Sequence, residues 1–266
     1  MNINKYNQHL QNNTFSTLFV GQNLIKLLAV DSTNTFLKNL VSKSEPLPEG
    51  TVIMADHQFA GRGQQENTWQ AEPGKNLTIS ILLKPKFLLI HKQFLLNMAI
   101  SIAINKALSK YVPNGITVKW PNDIYYLDKK LGGILIENTI VGNAIKTAVI
   151  GIGLNVNQQE FSEDLESKAT SLHQILQEDV NLAELLSEIC SQIESLYLQL
   201  KNGTHTFLTT TYVDKLYKMN VPSIYRHNGE VFEGTIIGIT DLGLLNVMRD
   251  GKAVQFNFKE IEFLNQ

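Results

Sequence analysis

The chain has 266 residues, 43% of them hydrophobic, with 23 Lys and Arg against 25 Asp and Glu, a formal net charge of -2. That balance excludes a disordered chain and leaves no basic surplus for coating nucleic acid. A single cysteine, Cys190, rules out an internal disulfide. No apolar run approaches the roughly 18 residues of a spanning helix, and polar Met1 to Asn12 lacks a signal-peptide core; the expectation is a soluble protein of the reducing cytoplasm.

In chain order, a polar stretch with one apolar patch, Phe15 to Val20, precedes a strand over Leu24 to Val30. Asp31-Ser32 offers a helix N-cap, and Phe36, Leu37, Leu40 and Val41 follow at helical spacing. Pro46, Pro48 and Gly50 close that unit, and Thr51 to Ala55 reads as a short strand. A polar, glycine-bearing segment runs from Asp56 to Lys75, ahead of a strand over Asn76 to Leu83. Phe94 to Leu108 is almost wholly apolar, which predicts a helix buried on more than one side.

Strands are expected over Ile116 to Trp120, Ile124 to Leu127, Gly132 to Asn138 and Lys146 to Leu154, the last two suited to a sheet covered on both faces. Asn157 to Thr170 reads as loop, with helices over Leu182 to Leu200 and Thr206 to Met219. Near Asn220 the helical pattern stops. Val221 to Tyr225, Val231 to Ile239, Leu244 to Met248 and Ala253 to Phe258 read as strands, with Asn228-Gly229 and Asp250-Gly251 as hairpin signals. The fold class is therefore α+β: a mixed sheet flanked by helices over residues 1–220, then a small SH3-like β-barrel over residues 221–266.

Four segments carry chemistry. In Gly61-Arg62-Gly63-Gln64-Gln65-Glu66-Asn67-Thr68-Trp69, glycines let the backbone fold closely round a ligand and the arginine brings a fixed fork of donors for carboxylate or phosphate; the same residues also suit a mobile surface turn. Lys119-Trp120-Pro121-Asn122-Asp123 is either turn chemistry or a carboxylate held rigidly at a cleft. Lys130-Leu131-Gly132-Gly133-Ile134-Leu135 sets two glycines inside a strand, which destabilises it unless something must approach closely. Gly151-Ile152-Gly153-Leu154-Asn155 is glycine-lined but is neither a dinucleotide fingerprint nor a P-loop. His9, His57, His91, His173, His205 and His227 are scattered without metal-ligand spacing; they read as surface or loop residues, with His57 beside Gln58 a candidate to line a pocket. No resident metal site is expected, and Cys190 reads as a small packed residue of its helix.

The order and combination of these segments, with Ser32-Thr33-Asn34, Gln58 and Trp69, resembles the biotin protein ligase pattern over about residues 24 to 265. The resemblance implies a catalytic domain similar to class II aminoacyl-tRNA synthetases. It implies activation of biotin by ATP with Mg²⁺ to biotinyl-5′-AMP, then transfer to one lysine of a biotin carboxyl carrier protein. It places biotin on Ser32, Thr33, Asn34, Gln58, Gly61, Arg62, Gly63, Gln64, Lys130 and Gly133. ATP falls to Arg62, Trp69, Lys119, Asn122, Lys130 and Asn155, and the catalytic roles to Arg62, Lys130 and Asp123. Two features depart from relatives. Gln64-Gln65-Glu66-Asn67 stands where many carry further basic residues, which loosens the expected hold on the adenylate. Only about 23 residues precede the first strand, too few for the helix-turn-helix of repressor-type members, so no DNA binding is expected. A lipoate-attaching enzyme and a non-catalytic biotin binder are the alternatives. The arginine loop with Trp69 favours biotin over lipoate, and the charge set Arg62, Lys130 and Asp123 exceeds what binding a neutral urea requires.

Overall fold

A computed structural model describes residues 15–43, 46–64 and 67–264. Met1 to Asn12, His9 within it, and Gln65 and Glu66 of the arginine loop lie outside the described residues. The large sheet has seven strands in the order β1-β2-β3-β7-β6-β5-β4. They are β1 (Leu24–Val30), β2 (Val52–Gln58), β3 (Leu77–Leu83), β4 (Ile116–Lys119), β5 (Asp123–Tyr126), β6 (Lys129–Val141) and β7 (Ala144–Leu154). Only β1 and β2 run parallel, joined through helix α1 (Thr33–Val41); the other neighbours are antiparallel.

Both faces of the sheet are covered. On one face α1 packs over Leu27, Ile53, Leu82 and Val149. On the other lies the main core, where α2 (Phe94–Leu108) is buried almost throughout, as its unbroken apolar run predicts. Helix α2 packs against α5 (Leu182–Lys201) and α6 (His205–Asp214). Two short helices, α3 (Glu163–Glu166) and α4 (Leu172–Leu176), interrupt the polar stretch between β7 and α5. Helix α6 ends five residues before the expected Met219, because the edge strand β4 claims the following backbone: Val118 N–H donates to Lys215 O at 2.8 Å and Tyr217 N–H to Val118 O at 2.9 Å.

The second sheet is antiparallel, with β8 (Pro222–His227), β9 (Glu230–Ile239), β10 (Leu245–Arg249), β11 (Lys252–Phe256) and β12 (Glu262–Leu264) in the order β11-β10-β9-β8-β12. Both expected hairpin turns form, with positive φ at Asn228 and Gly229 and at Asp250 and Gly251, the backbone a two-residue turn requires. Of the expected SH3-like barrel the structure shows a five-stranded antiparallel sheet: β12, only three residues long, pairs with β8, and β11 remains an edge, so the ladder stays open among the described residues.

Two groups on α5 are buried, Cys190 as the sequence reading expects and Glu194 without a sequence signal. Cys190 is fully buried, and burial, with the nearby Glu194 charge, pushes its thiol up to about 12. Glu194 accepts three backbone N–H bonds, from Leu18 and Phe19 at 2.7 Å and from Val20 at 3.0 Å, and so pins the segment ahead of β1. Replacing Glu194 by alanine leaves three inward amides without an acceptor; a loss of about 3 kcal/mol of unfolding free energy is expected from urea titration, with Glu194→Gln losing less because one amide oxygen remains.

Candidate active site

The sheet opens a cavity by losing side-chain volume row by row on the face that α1 covers. Leu82 and Val149 are register partners under α1. The next row holds Ser80, Gly151 and Leu135, and the one after it Thr78, Gly153 and Gly133. Small residues therefore replace large ones just beyond the N-terminus of α1, leaving a cavity of about 230 Å³. The glycines are needed there: a Cβ on Gly151 would stand 2.6 Å from Asn34 Oδ1, and one on Gly153 would stand 2.4 Å from Trp69 Cε2.

The N-terminus of α1 forms one wall. Ser32 occupies the N-cap but makes no side-chain capping bond. Gln58 satisfies the helix end instead, its Oε1 accepting from Thr33 N–H at 2.7 Å and from Thr33 Oγ1 at 3.0 Å. Ser80 Oγ sits 2.7 Å from Thr33 Oγ1 and 2.6 Å from Asn34 Oδ1, so the polar groups of α1 are tied to the strand beneath.

The arginine loop lies across the opening. Gly63 N–H donates to Asn67 O at 2.7 Å and Trp69 N–H to Gly61 O at 2.9 Å, making a narrow turn. Arg62 reaches Glu137 at 3.2 Å, at the end of the apolar run of β6, while Trp69 lies over Gly153 on β7. Glu137 also accepts from Lys38 Nζ at 2.8 Å and Asn34 Nδ2 at 3.0 Å. Burial alone would raise the Glu137 carboxyl, but the Lys38 and Asn34 hydrogen bonds and the Arg62 charge outweigh it and hold it below its usual range.

Across the cavity, Lys130 Nζ pairs with Asp123 Oδ1 at 2.8 Å, and a Cβ on Gly133 would stand 3.3 Å from that same oxygen. Asp123 begins β5 directly after a turn fixed on both sides. Asn122 N-side and O-side groups bond to β6, with its Nδ2 donating to Ile134 O and its carbonyl accepting from Ile134 N–H at 3.1 Å. Pro121 O accepts from Asn97 Nδ2 at 2.7 Å and Tyr212 OH at 2.8 Å.

Of the residues singled out by sequence, Ser32, Thr33, Asn34, Gln58, Arg62, Gly63, Gln64, Trp69, Asn122, Asp123, Lys130 and Gly133 line this one cavity. Gly61, Lys119 and Asn155 do not. Gly61 packs under the loop, where a Cβ would stand 2.3 Å from Trp69 O. Lys119 turns toward the small sheet, with Nζ 3.1 Å from Tyr125 OH and over the Phe263 ring, and burial lowers its ammonium pKa. Asn155 is buried and donates to Thr170 O at 3.0 Å, bracing the strap that pairs with Lys130. His57 also stays outside, edge-on to Phe59. Thr78, Ser80 and Glu137 were missed. Their signal was the register: a Thr and a Ser two apart in an apolar strand, and one carboxylate in step with Gly133 and Leu135. No group of three or more His, Cys, Asp or Glu side chains could hold a metal ion among the described residues.

A model of the biotin/lipoate A/B protein ligase family matches residues 27–155. The bifunctional ligase/repressor BirA of Bacillus subtilis is 32% identical over 234 residues, spanning 86% of this chain and 70% of the relative. The chain belongs to the biotin/lipoate A/B protein ligase family. Within it, the biotin–protein ligase of Homo sapiens is 26% identical over 263 residues, covering 95% of this chain and 35% of the human protein. The biotin protein ligase of Aquifex aeolicus, solved with biotin and ATP, superposes with a TM-score of 0.78 at 25% identity, over 92% of this chain and 100% of the other. No helix among the described residues of this family member is long and apolar enough to cross a membrane.

The Arg62–Glu137 contact is partly exposed, with side-chain exposures of 46% and 19%, so its worth is bounded near ~0.5–1 kcal/mol. Amide exchange at Gly63 and Trp69, the two donors of the loop's backbone bonds, is expected to quicken about two- to fivefold in Glu137→Gln, the factor that energy corresponds to. In the wild type, the contact is fully present above the ordinary carboxylate range, because the folded carboxyl is depressed. It is lost as pH falls through that lowered value, so opening-corrected exchange should stay flat down to the usual glutamate pKa and rise only below it.

Proposed function

We propose that the chain joins biotin to ATP as biotinyl-5′-AMP with release of pyrophosphate, then passes the biotinyl group to a lysine of a biotin carboxyl carrier protein. The observation that carries this reading is the meeting of Arg62 and of the Asp123–Lys130 pair in a single 230 Å³ cavity with an uncharged polar end. Ser32, Thr33, Asn34, Gln58 and Gly133 supply the mixture of donors and acceptors that a neutral urea ring needs. Arg62 and Lys130 face the other requirement, which is to bring a carboxylate onto the α-phosphorus of a triphosphate. Two cations offset the repulsion of these anions and the charge that grows at phosphorus. The carboxylate oxygen forms the new bond to phosphorus, and pyrophosphate departs with the bonding pair.

Trp69 stacks over Gly153 at the cavity's other end, and its indole Nε1 is buried without a partner among the described residues, a donor suited to the nucleotide. Magnesium enters on this reading as part of the nucleotide substrate, bound to its phosphate oxygens. In the second half-reaction, on this reading, Asp123 accepts a proton from the incoming lysine amine, which attacks the acyl carbon and expels AMP. Residues 1–220 form the catalytic unit on this reading. Residues 221–266 form a supporting unit of SH3-like character, whose strand order and tight hairpins fit an opened barrel of that type.

The experiment is pyrophosphate release with ATP and Mg²⁺, comparing biotin with lipoate. Biotin-dependent release, followed by labelling of an apo-carrier domain, is the expected result; release with lipoate alone would reassign the substrate.

A further inference from the structure

Lys119 lies outside the reaction cavity, yet it is the register partner of Asp123, which lines it. The turn Trp120-Pro121-Asn122 joins the two, so β4 ends on a lysine directly across from the carboxylate that begins β5. From the next strand, Lys130 holds that carboxylate at 2.8 Å. Asp123 therefore stands between two lysines, one bonded to it and one not.

An aromatic cage holds Lys119 apart. Its Nζ donates to Tyr125 OH at 3.1 Å and lies 5.0 Å from the centre of the Phe263 ring on β12. Tyr125 is backed by Tyr217, with ring centres 5.1 Å apart, and the Tyr217 OH donates to Asp128 Oδ1 at 2.6 Å. Ring faces and a phenol attract an ammonium without neutralising it. Burial and the Asp123 charge raise the Tyr125 phenol, which keeps it uncharged at neutral pH. Glu262, the other carboxylate that acts on Lys119, is taken by Arg226 at 2.7 Å. Lys119 thus has no ion-pair partner among the described residues. Burial lowers its ammonium pKa, which the Asp123 charge opposes and the Lys130 charge reinforces.

A half-buried ammonium without a counter-ion is costly to keep, and the reaction gives it a use. On the ligase reading Lys130 must be shared with the vitamin carboxylate and the α-phosphate. An Asp123 stripped of its partner would pull Lys130 back and repel both anions. Resting on that reading, we infer that Lys119 is a positioning residue, the standing counter-ion of Asp123 that lets Lys130 turn to the substrates. A direct Lys119–Asp123 bond would displace Lys130 from the empty site. The cage keeps the second charge near while the Lys130 bond stays whole. Phe263 brings the last strand of the small sheet into this arrangement.

The test is single-turnover pyrophosphate release by the full chain with saturating biotin, ATP and Mg²⁺, expressed per folded molecule. Lys119→Met keeps the length of the stem and removes the charge; it should slow release about five- to tenfold, the usual size of coupling between neighbouring groups. The loss should lie in kcat, with the KM for biotin unchanged, since Lys119 touches neither substrate. Lys119→Arg, which keeps a cation that stacks on rings, should recover most of the rate and guards against misfolding of the neutral variant. In an Asp123→Asn background the same Lys119→Met change should cost less than about twofold, because no charge remains to be compensated. A Lys119→Met rate equal to wild type would overturn the assignment. So would an equal loss with and without the Asp123 charge, or a loss confined to KM, either of which would leave Lys119 a structural prop. A wild type that releases no pyrophosphate with biotin would instead overturn the ligase reading, and this role with it.

Discussion

Lys130→Ala is expected to lower biotin-dependent pyrophosphate release about 10²–10³-fold, the usual loss when one preorganised charge partner of the transition state is removed. The expectation rests on what the substitution leaves behind as much as on what it takes away. Lys130 is the immediate partner of Asp123, 2.8 Å away. Without the ammonium, the Asp123 carboxylate faces a cavity into which a carboxylate and a triphosphate must both come, so the variant adds a repulsion where an attraction stood. The fall should lie mainly in kcat, because the charge at phosphorus grows only in the transition state. Stability should change little: both side chains remain partly exposed, at 36% and 27%, where ion pairs are worth no more than about 1 kcal/mol. Lys130→Arg keeps the charge on a wider head beside Gly133 and should recover part of the rate. A Lys130→Ala protein with normal single-turnover adenylation would remove this lysine from the chemistry.

Most of the scaffold was legible in its apolar runs. Those of β6 and β7 read as strands covered on both faces, and the unbroken run of Phe94 to Leu108 marked a helix buried on more than one side. The motif glycines were also readable, since Gly132 and Gly133 cost a strand stability unless something must come near, and Gly151 and Gly153 read as the lining of a pocket. What could not be read was which residues share a row across strands. Ser80 meets Gly151, and Leu135 meets Gly151 from the other side, only once the register of three strands is fixed. Glu137 and Glu194 were hidden for the same reason, because their partners lie 75 and 174 to 176 residues away in sequence. Lys119 shows the converse: its motif pointed to the site, but its side chain runs toward the small sheet, and proximity in sequence did not carry over to proximity in the cavity. In the small sheet the first and last strands, β8 and β12, do pair, but among the described residues no ladder joins β12 to the other edge, β11, and hairpin signals between neighbours specify neither contact.

Trp120→Ala should be the most destabilising single change, at about 3–5 kcal/mol by urea titration. Trp120 is 5% exposed, with its ring 5.1 Å from that of Phe258 and its Nε1 donating to Gly243 O at 2.9 Å. Gly243 in turn sits where no side chain fits, since a Cβ there would stand 2.3 Å from Phe94 Cγ. One indole therefore joins the large sheet, helix α2 and the small sheet. Its loss opens a cavity at their junction and leaves the Gly243 carbonyl without its donor. Trp120→Phe, which fills most of the space but lacks the N–H, should cost about 1–2 kcal/mol. The consequence for chemistry follows from the next three residues, because Pro121, Asn122 and Asp123 take their position from the same turn. A shift of about 1 Å in a reacting group can cost about 10²-fold in rate, so pyrophosphate release per folded molecule should fall by about that factor in Trp120→Ala and far less in Trp120→Phe. Equal rates per folded molecule in the two variants would mean that the small sheet stabilises the protein without positioning Asp123.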